Sequence, residues 1–164
     1  MRPIERIDNF LEKVDWGNLI NTRWKLYKPI QDNLFDILYS TSMVRTYWKE
    51  NPDQRIGQVL INLGLINEPY EDKNDSHSCN IWLDEEYTIL EAQGLPPEEC
   101  LFWTSNYDKH MNLLEKPIVR LVKDMSKNHI ISIKSYFASR DLTLPSNYIT
   151  AFNNVLKSDN PNEY

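Results

Sequence analysis

The stretch Trp48–Gly64, WKENPDQRIGQVLINLG, limits the fold of this chain most strongly, because its capping residues and its apolar spacing agree. Asn51 suits a helix N-cap, and Pro52 suits the first turn of a helix, where its missing N–H is not needed. Gly64 suits the end of that helix. One face of the predicted helix is apolar and consists of Ile56, Val59, Leu60 and Leu63. The stretch therefore predicts a short helix with one side in a core.

Polar residues recur on another face of this helix, at Arg55, Gln58 and Asn62. Arginine and glutamine both form fork-like hydrogen bonds, so this face suits contact with a partner protein or a small anion. The other interpretation, which we favour, is an internal clamp in which Arg55 reaches a carboxylate or a helix C-terminus elsewhere in the chain. Asp53 either holds Arg55 or favours the helix dipole. The predicted binding residues are Arg55, Gln58, Asp53, Trp48 and Trp103.

Helical patterns also precede this stretch. Apolar residues at helical spacing predict a helix over residues 3–14, and Asp15 suits the N-cap of a second short helix that reaches Trp24 or Tyr27 at most. Residues 30–50 predict the longest helix, with a break where Ser40, Thr41 and Ser42 lower helix propensity. The turn after it predicts a helical corner that contains Trp48.

The middle of the chain changes character. Residues 66–80 have no apolar period and are rich in Asp, Asn and Ser, which predicts a solvated loop. Residues 81–83 suit a short strand. Asp84, Glu85 and Glu86 then suit the start of a helix, where carboxylates favour the dipole, and Gly94 suits its end.

The C-terminal part predicts a β-hairpin followed by two helices. Residues 100–104 and 118–122 are strand-like, and the polar residues 105–116 between them predict a long tip. Asp124 or Ser126 caps the next helix, and Pro145 or Ser146 begins the last one.

These patterns predict a mainly α fold with a small antiparallel β element, in the α+β class. With 41% apolar and 12% aromatic residues, the chain can build a sizeable core. We expect one compact helical domain over residues 1–157, with substructure at 1–65 and 81–157. Residues 158–164 are expected to form a frayed tail.

Charge and composition exclude several classes of function. The net charge is −6, from 24 acidic and 18 basic residues, which disfavours direct binding to a nucleic acid backbone. The N-terminus lacks a signal peptide, and no stretch approaches the roughly 20 apolar residues that span a bilayer. We therefore expect no membrane contact, a cytoplasmic location, and free thiols at Cys79 and Cys100.

The usual cofactor and metal motifs are missing. Four glycines are too few and too scattered for a phosphate loop or a dinucleotide fingerprint, and no G-x-S-x-G elbow occurs. His77, Cys79, Cys100 and His110 lack the close pairing of structural zinc ligands. The prediction is no cofactor and no metal.

One local pair suits acid–base catalysis, His129 with Asp124. A catalytic histidine needs a carboxylate to orient it, and these two residues flank the start of a predicted helix. The structural alternative, which we favour, makes Asp124 a helix cap and His129 a half-buried polar residue.

Two stretches resemble known proteins. The first, Trp48 to Leu63, resembles a motif W-x-x-x-P-D-x-R-x-G-Q of small uncharacterised bacterial and bacteriophage proteins, in which an apolar-aromatic patch and an acidic turn follow, as in residues 81–86 here. The second, LVKDMSKNHIISI, is similar to small phage proteins that share Asp124, Met125 and His129. These resemblances imply a bacterial or phage origin and an accessory role, without an established activity.

The sequence therefore predicts a non-catalytic binding or regulatory accessory protein that acts through protein contacts and is encoded by a phage or mobile element. One alternative is a small hydrolase or nuclease-like enzyme that uses Asp124 and His129. The other is an acidic mimic of nucleic acid, which requires the acidic side chains to line one face.

Overall fold

A computed structural model describes residues 4–25, 27, 29–30, 33–40, 42–67, 84–108 and 110–158. Within these residues the chain forms eight α-helices and one two-stranded antiparallel β-hairpin, which confirms the predicted mainly α fold with a small β element. The chain divides into an N-terminal unit, Met1–Gln93, and a C-terminal unit, Gly94–Tyr164. Each unit is described by itself below.

The N-terminal unit contains six helices: α1 (Glu5–Lys13), α2 (Trp16–Asn21), α3 (Leu34–Ser40), α4 (Ser42–Glu50), α5 (Ile56–Asn62) and α6 (Glu86–Ala92). Helix α1 packs against α4 and α6, and α4 also packs against α5. Phe10 lies at the centre and meets the rings of Trp16 and Trp48 edge-on, at centroid distances of 5.8 and 5.7 Å. Burial of three large aromatic rings in one place gives this unit its core.

Local capping signals work as predicted at the start of the unit. The Asp15 side chain caps α2 by accepting a hydrogen bond from the N–H of Asn18. Helix α2 ends at Asn21, before Trp24. Two helical segments, α3 and α4, are described within the predicted helix over 30–50, and residue 41 between them, where a break was predicted, lies outside the described residues.

The helix in the stretch Trp48–Gly64 begins later than predicted. Asn51 is not its cap, because the Asn51 side chain donates to the carbonyl of Tyr47 at the end of α4. Helix α5 starts at Ile56 instead, where the Gln58 side chain accepts the N–H of Arg55. Its predicted end is confirmed, since Gly64 has φ +71° and lies directly after the C-cap Leu63.

The chain around the predicted solvated loop is only partly described. Residues 68–80, and the predicted strand at 81–83, lie outside the described residues. Ile66, the first residue of the predicted loop, is buried and forms an antiparallel bridge with Pro29, so the core extends further than expected. Helix α6 ends before Gly94, which has φ +92°, as predicted.

The C-terminal unit begins with a short 3₁₀ turn, Pro97–Glu99, followed by strands β1 (Phe102–Tyr107) and β2 (Leu113–Leu121). Phe102 is opposite Leu121 and Trp103 is opposite Arg120, and the register shifts between Ser105 and Tyr107. The hairpin is confirmed, but its long tip is wrong, because the strands continue through the predicted polar loop. This distal part of the ribbon is exposed, so its residues need no apolar alternation to pair as strands.

Two helices complete this unit, α7 (Lys127–Ser139) and α8 (Ser146–Lys157). Ser126 caps α7 by accepting the N–H of His129, so of the two predicted caps Ser126 is correct and Asp124 is not. Residues 159–164, most of the predicted tail, lie outside the described residues. Among the residues that the structure describes, no helix is both long enough and apolar enough to cross a membrane.

Candidate functional site

Three consecutive carboxylates in the N-terminal unit each bind a different arginine. Asp84, Glu85 and Glu86 contact, respectively, the guanidinium groups of Arg23, Arg55 and Arg6. We call this arrangement the carboxylate clasp. From the sequence, these acids were predicted to interact favourably with the dipole of α6. In the structure they also form ion pairs that connect the start of α6 to three other segments.

The contact between Arg6 and Glu86 is the most buried part of the clasp. Arg6 Nη1 lies 2.8 Å from Glu86 Oε1, and the two side chains are only 8% and 9% exposed. The same guanidinium also donates to the carbonyl of Pro52 and lies over the ring of Trp48, 5.3 Å from its centroid. Arg6 thus joins α1 to α6 and to the corner between α4 and α5.

Asp84 forms the second contact of the clasp. Its two carboxylate oxygens accept from Nε and Nη2 of Arg23, at 2.8 and 2.7 Å. The indole Nε1 of Trp24 also donates to Asp84, at 2.7 Å, and the Trp24 ring is fully buried. Bidentate pairing and a buried indole donor together hold Asp84 in one orientation.

The third contact explains the polar face of α5. Arg55 Nε donates to Glu85 Oε1 at 2.9 Å, so the structure places Arg55 in an internal contact of the kind that the clamp interpretation describes. Gln58 supports the start of the same helix by accepting the N–H of Arg55, while Asp53 is exposed in the preceding turn. Trp48 is fully buried and its Nε1 donates to the carbonyl of Gln54, so its ring is not available to a partner.

We expect the Arg55–Glu85 contact to contribute modestly to stability. The two side chains are 31% and 39% exposed, and solvent-exposed ion pairs typically contribute about 0.2–1 kcal/mol. A double-mutant cycle with Arg55→Ala and Glu85→Ala, followed by urea unfolding, should return a coupling energy in this range. A coupling near zero would mean that the arginine is held by its other contacts or is open to a partner.

Trp103, the remaining predicted binding residue, lies at the base of the hairpin in the C-terminal unit. Its ring packs edge-on against Phe137, Tyr148 and Phe152, at centroid distances of 6.2, 5.8 and 5.6 Å. The Tyr148 hydroxyl donates to the carbonyl of Phe102 at 2.6 Å, and burial raises the pKa of Tyr148. Trp103 is half-buried, and its neighbours make it part of the packing between hairpin and helices.

The catalytic pairing of Asp124 with His129, the less favoured of the two interpretations, is not formed. Asp124 is exposed at the end of a 3₁₀ turn, Val122–Asp124, and forms no hydrogen bond with His129. The His129 ring turns instead toward the hairpin, where its Nε2 lies 3.5 Å from the hydroxyl of Ser105. Because Asp124 does not orient the imidazole, the geometry for acid–base catalysis by these two residues is missing.

His129 belongs to a different cluster, formed by Ser105 on β1, Arg120 on β2 and His129 on α7. Ser105 lies two residues after Trp103, and Arg120 lies opposite Trp103. The side chains of Ser105 and Arg120 therefore point to the same face of the hairpin as Trp103, the face that packs against the helices. Burial, and then the positive charge of Arg120, lower the pKa of His129. We call these three residues the hairpin–helix cluster.

The distal hairpin exposes large apolar side chains. Leu113 is 73% exposed and Met111 is 65% exposed, Tyr107 opposite Leu113 is also exposed, and Ile118 is exposed further along β2. These four residues are called the hairpin surface below. Asp108 holds the turn between the strands by accepting hydrogen bonds from the backbone N–H groups of Asn112 and His110. The hydrogen bond from Asn112 has the largest effect on the pKa of Asp108, and both hydrogen bonds lower that pKa.

Metal ligands were predicted to be absent, and His77 and Cys79 lie outside the described residues. Cys100 is buried and directs its thiol to the carbonyl of Pro96, whereas His110 is exposed at the hairpin turn. Among the described residues, no group of three or more histidine, cysteine or acidic side chains is arranged to hold a metal ion.

Comparison with known proteins adds no family to this description. No protein-family model matches the chain, and neither a curated protein nor a solved structure matches it significantly. The candidate residues therefore rest on their own geometry.

The residues that the C-terminal unit brings together were not predicted from the sequence. Ser105, Arg120 and the hairpin surface all fall in or near the segment predicted to be a polar loop. One local signal was present: Asp108 and Asn112 are residue types that close short turns through side-chain hydrogen bonds. That signal predicts a shorter tip, and with it longer strands that include Tyr107 and Leu113.

Proposed function

We propose that this chain is an accessory protein that acts by binding another protein, and that the hairpin surface is its main contact. The observation that carries this proposal is the exposure of Tyr107, Met111, Leu113 and Ile118 on one hairpin. Isolated exposed apolar residues are common, but several on one hairpin suit an interaction site.

The turn chemistry supports this function. Asp108 restrains the turn through two backbone hydrogen bonds, and Met111 is held at a positive φ of 65°. A restrained hairpin loses less conformational entropy on binding than a flexible loop does, so its apolar side chains are more effective anchors. The resemblance of the chain to small phage proteins supports an accessory role encoded by a phage or mobile element.

The two alternatives receive less support. The enzyme requires His129 next to a carboxylate, and its ring faces Ser105 and Arg120 instead. The nucleic acid mimic requires free acidic side chains on one face. Five of the described acids are engaged in ion pairs with arginine or lysine: Asp8, Asp84, Glu85, Glu86 and Glu99.

The proposal predicts that charge on the hairpin surface abolishes partner binding. Met111→Lys with Leu113→Lys places two charges at the centre of the apolar contact, while both positions are exposed, so the fold should be preserved. Partners captured from the source host by the unaltered chain are identified by mass spectrometry, and each is then produced pure and titrated. We expect a loss of about 2 kcal/mol or more for the true partner, which is roughly 30-fold in affinity.

Leu142→Lys is the matched control, because Leu142 is also exposed in the C-terminal unit but is not on the hairpin. It should leave the affinity unchanged. The proposal is wrong if no reproducible partner is captured, or if the double variant binds every purified partner as tightly as the unaltered chain does.

A further inference from the structure

The hairpin–helix cluster collects groups that bind anions. Ser105 offers a hydroxyl, His129 an imidazole and Arg120 a guanidinium with five N–H donors, and these side chains come from β1, α7 and β2. Ser105 Oγ and His129 Nε2 are already 3.5 Å apart, so one small ligand can contact both. Placement on three different elements fixes the positions of the donors relative to each other.

The cluster contains one permanent cation, Arg120, and one side chain that can become a cation, His129. Burial lowers the pKa of His129, and the positive charge of Arg120 lowers it further. Asp124, the nearest acid in sequence on the helix side, is exposed in the preceding turn. Arg120 carries a positive charge next to Ser105 on the paired strands, and His129 can acquire one, so a bound anion would be attracted to both side chains.

We propose that Arg120, His129 and Ser105 form a binding site for an oxyanion, either a phosphate group or a carboxylate. The site does not require Arg120 to lack other contacts, because a guanidinium can serve several acceptors at once. It uses none of the four residues of the hairpin surface, although Ile118 lies opposite Ser105, and the phosphate test below does not depend on a protein partner, so the site and the proposed protein-binding function can succeed or fail independently.

His129 itself supplies the measurement. Its imidazole is titrated by NMR in the full-length protein, with inorganic phosphate or with sodium chloride at the same ionic strength. A bound oxyanion favours the imidazolium, so the pKa of His129 should rise by about one unit in phosphate and not in chloride. The chemical shifts should saturate with phosphate concentration. Equal behaviour in phosphate, acetate and chloride would overturn the proposal.

Variants separate the site from a general salt effect. Arg120→Gln should weaken phosphate binding by at least about tenfold, since it removes a charge-assisted hydrogen bond. Lys116→Gln is the matched control, because Lys116 is an exposed cation on the same strand, and it should change nothing. Tight binding by Arg120→Gln, or equal weakening by Lys116→Gln, would contradict the site.

Two further measurements complete the test. If Arg120→Gln does not fold, Ser105→Ala takes its place, since this change removes only a hydroxyl and keeps His129 as the reporter. It should weaken phosphate binding, and unchanged affinity would count against the cluster. An acetate titration then identifies the source of the oxyanion: saturation by acetate indicates a carboxylate, and saturation by phosphate alone indicates a phosphate group.

Discussion

Glu86→Ala is expected to lower the free energy of unfolding of the N-terminal unit by about 3–5 kcal/mol, because removing one partner of a buried ion pair leaves the other charge without compensation. The Arg6 side chain is 8% exposed, so water cannot replace the lost carboxylate. Native-state hydrogen exchange of helix α1, which carries Arg6, reports the stability of this unit directly.

The adjacent carboxylate provides the control. Glu85→Ala removes the same number of charges one position earlier, at a side chain that is 39% exposed, and should cost at most about 1 kcal/mol. Replacing both partners, with Arg6→Met and Glu86→Leu, should restore much of the stability, since apolar side chains of similar size avoid the buried charge. Equal losses for Glu85→Ala and Glu86→Ala would show that burial does not determine the strength of these contacts.

Asp84→Ala is expected to cost about 2–4 kcal/mol, because it removes the acceptor of three hydrogen bonds at once. Two of these come from Arg23, which retains some access to water, and the third comes from the fully buried indole of Trp24. The loss should appear in urea unfolding followed by hydrogen exchange of α2 and the turn after it.

Trp24→Phe tests which donor dominates this loss. Phenylalanine keeps most of the buried ring but has no N–H, so Asp84→Ala should be less costly in that background than in the unaltered chain. The difference should be about 1 kcal/mol, the usual net contribution of one hydrogen bond. Strictly additive effects would mean that the indole of Trp24 is not energetically coupled to Asp84.

The carboxylate clasp also shows why part of the candidate site was predictable and part was not. The polar face of α5 was visible in the sequence, and an internal partner for Arg55 was the favoured interpretation. The identity of that partner was not visible, because Glu85 lies 30 residues away in the chain. For Asp124 and His129 the favoured structural interpretation was right about His129, which is half-buried, and wrong about Asp124, because Ser126 is the cap.

The hairpin illustrates a limit of pattern reading. Two apolar segments predicted its strands, but residues 105–116 looked like a loop because they are polar. Cross-strand pairing extends the strands into this segment, to Tyr107 on one side and Leu113 on the other. Pairing of this kind depends on the partner strand, which a single-strand pattern does not contain.

The sequence by itself determined the features that depend on a few neighbouring residues. It predicted the cap at Asp15, the end of α5 at Gly64, the helices that have apolar residues at helical spacing, and the existence of a hairpin. Only the tertiary structure decided which arginine meets which acid, where α5 begins and what His129 faces. The reason is distance along the chain: a helix cap joins residues three positions apart, whereas the Arg6–Glu86 contact joins residues 80 positions apart.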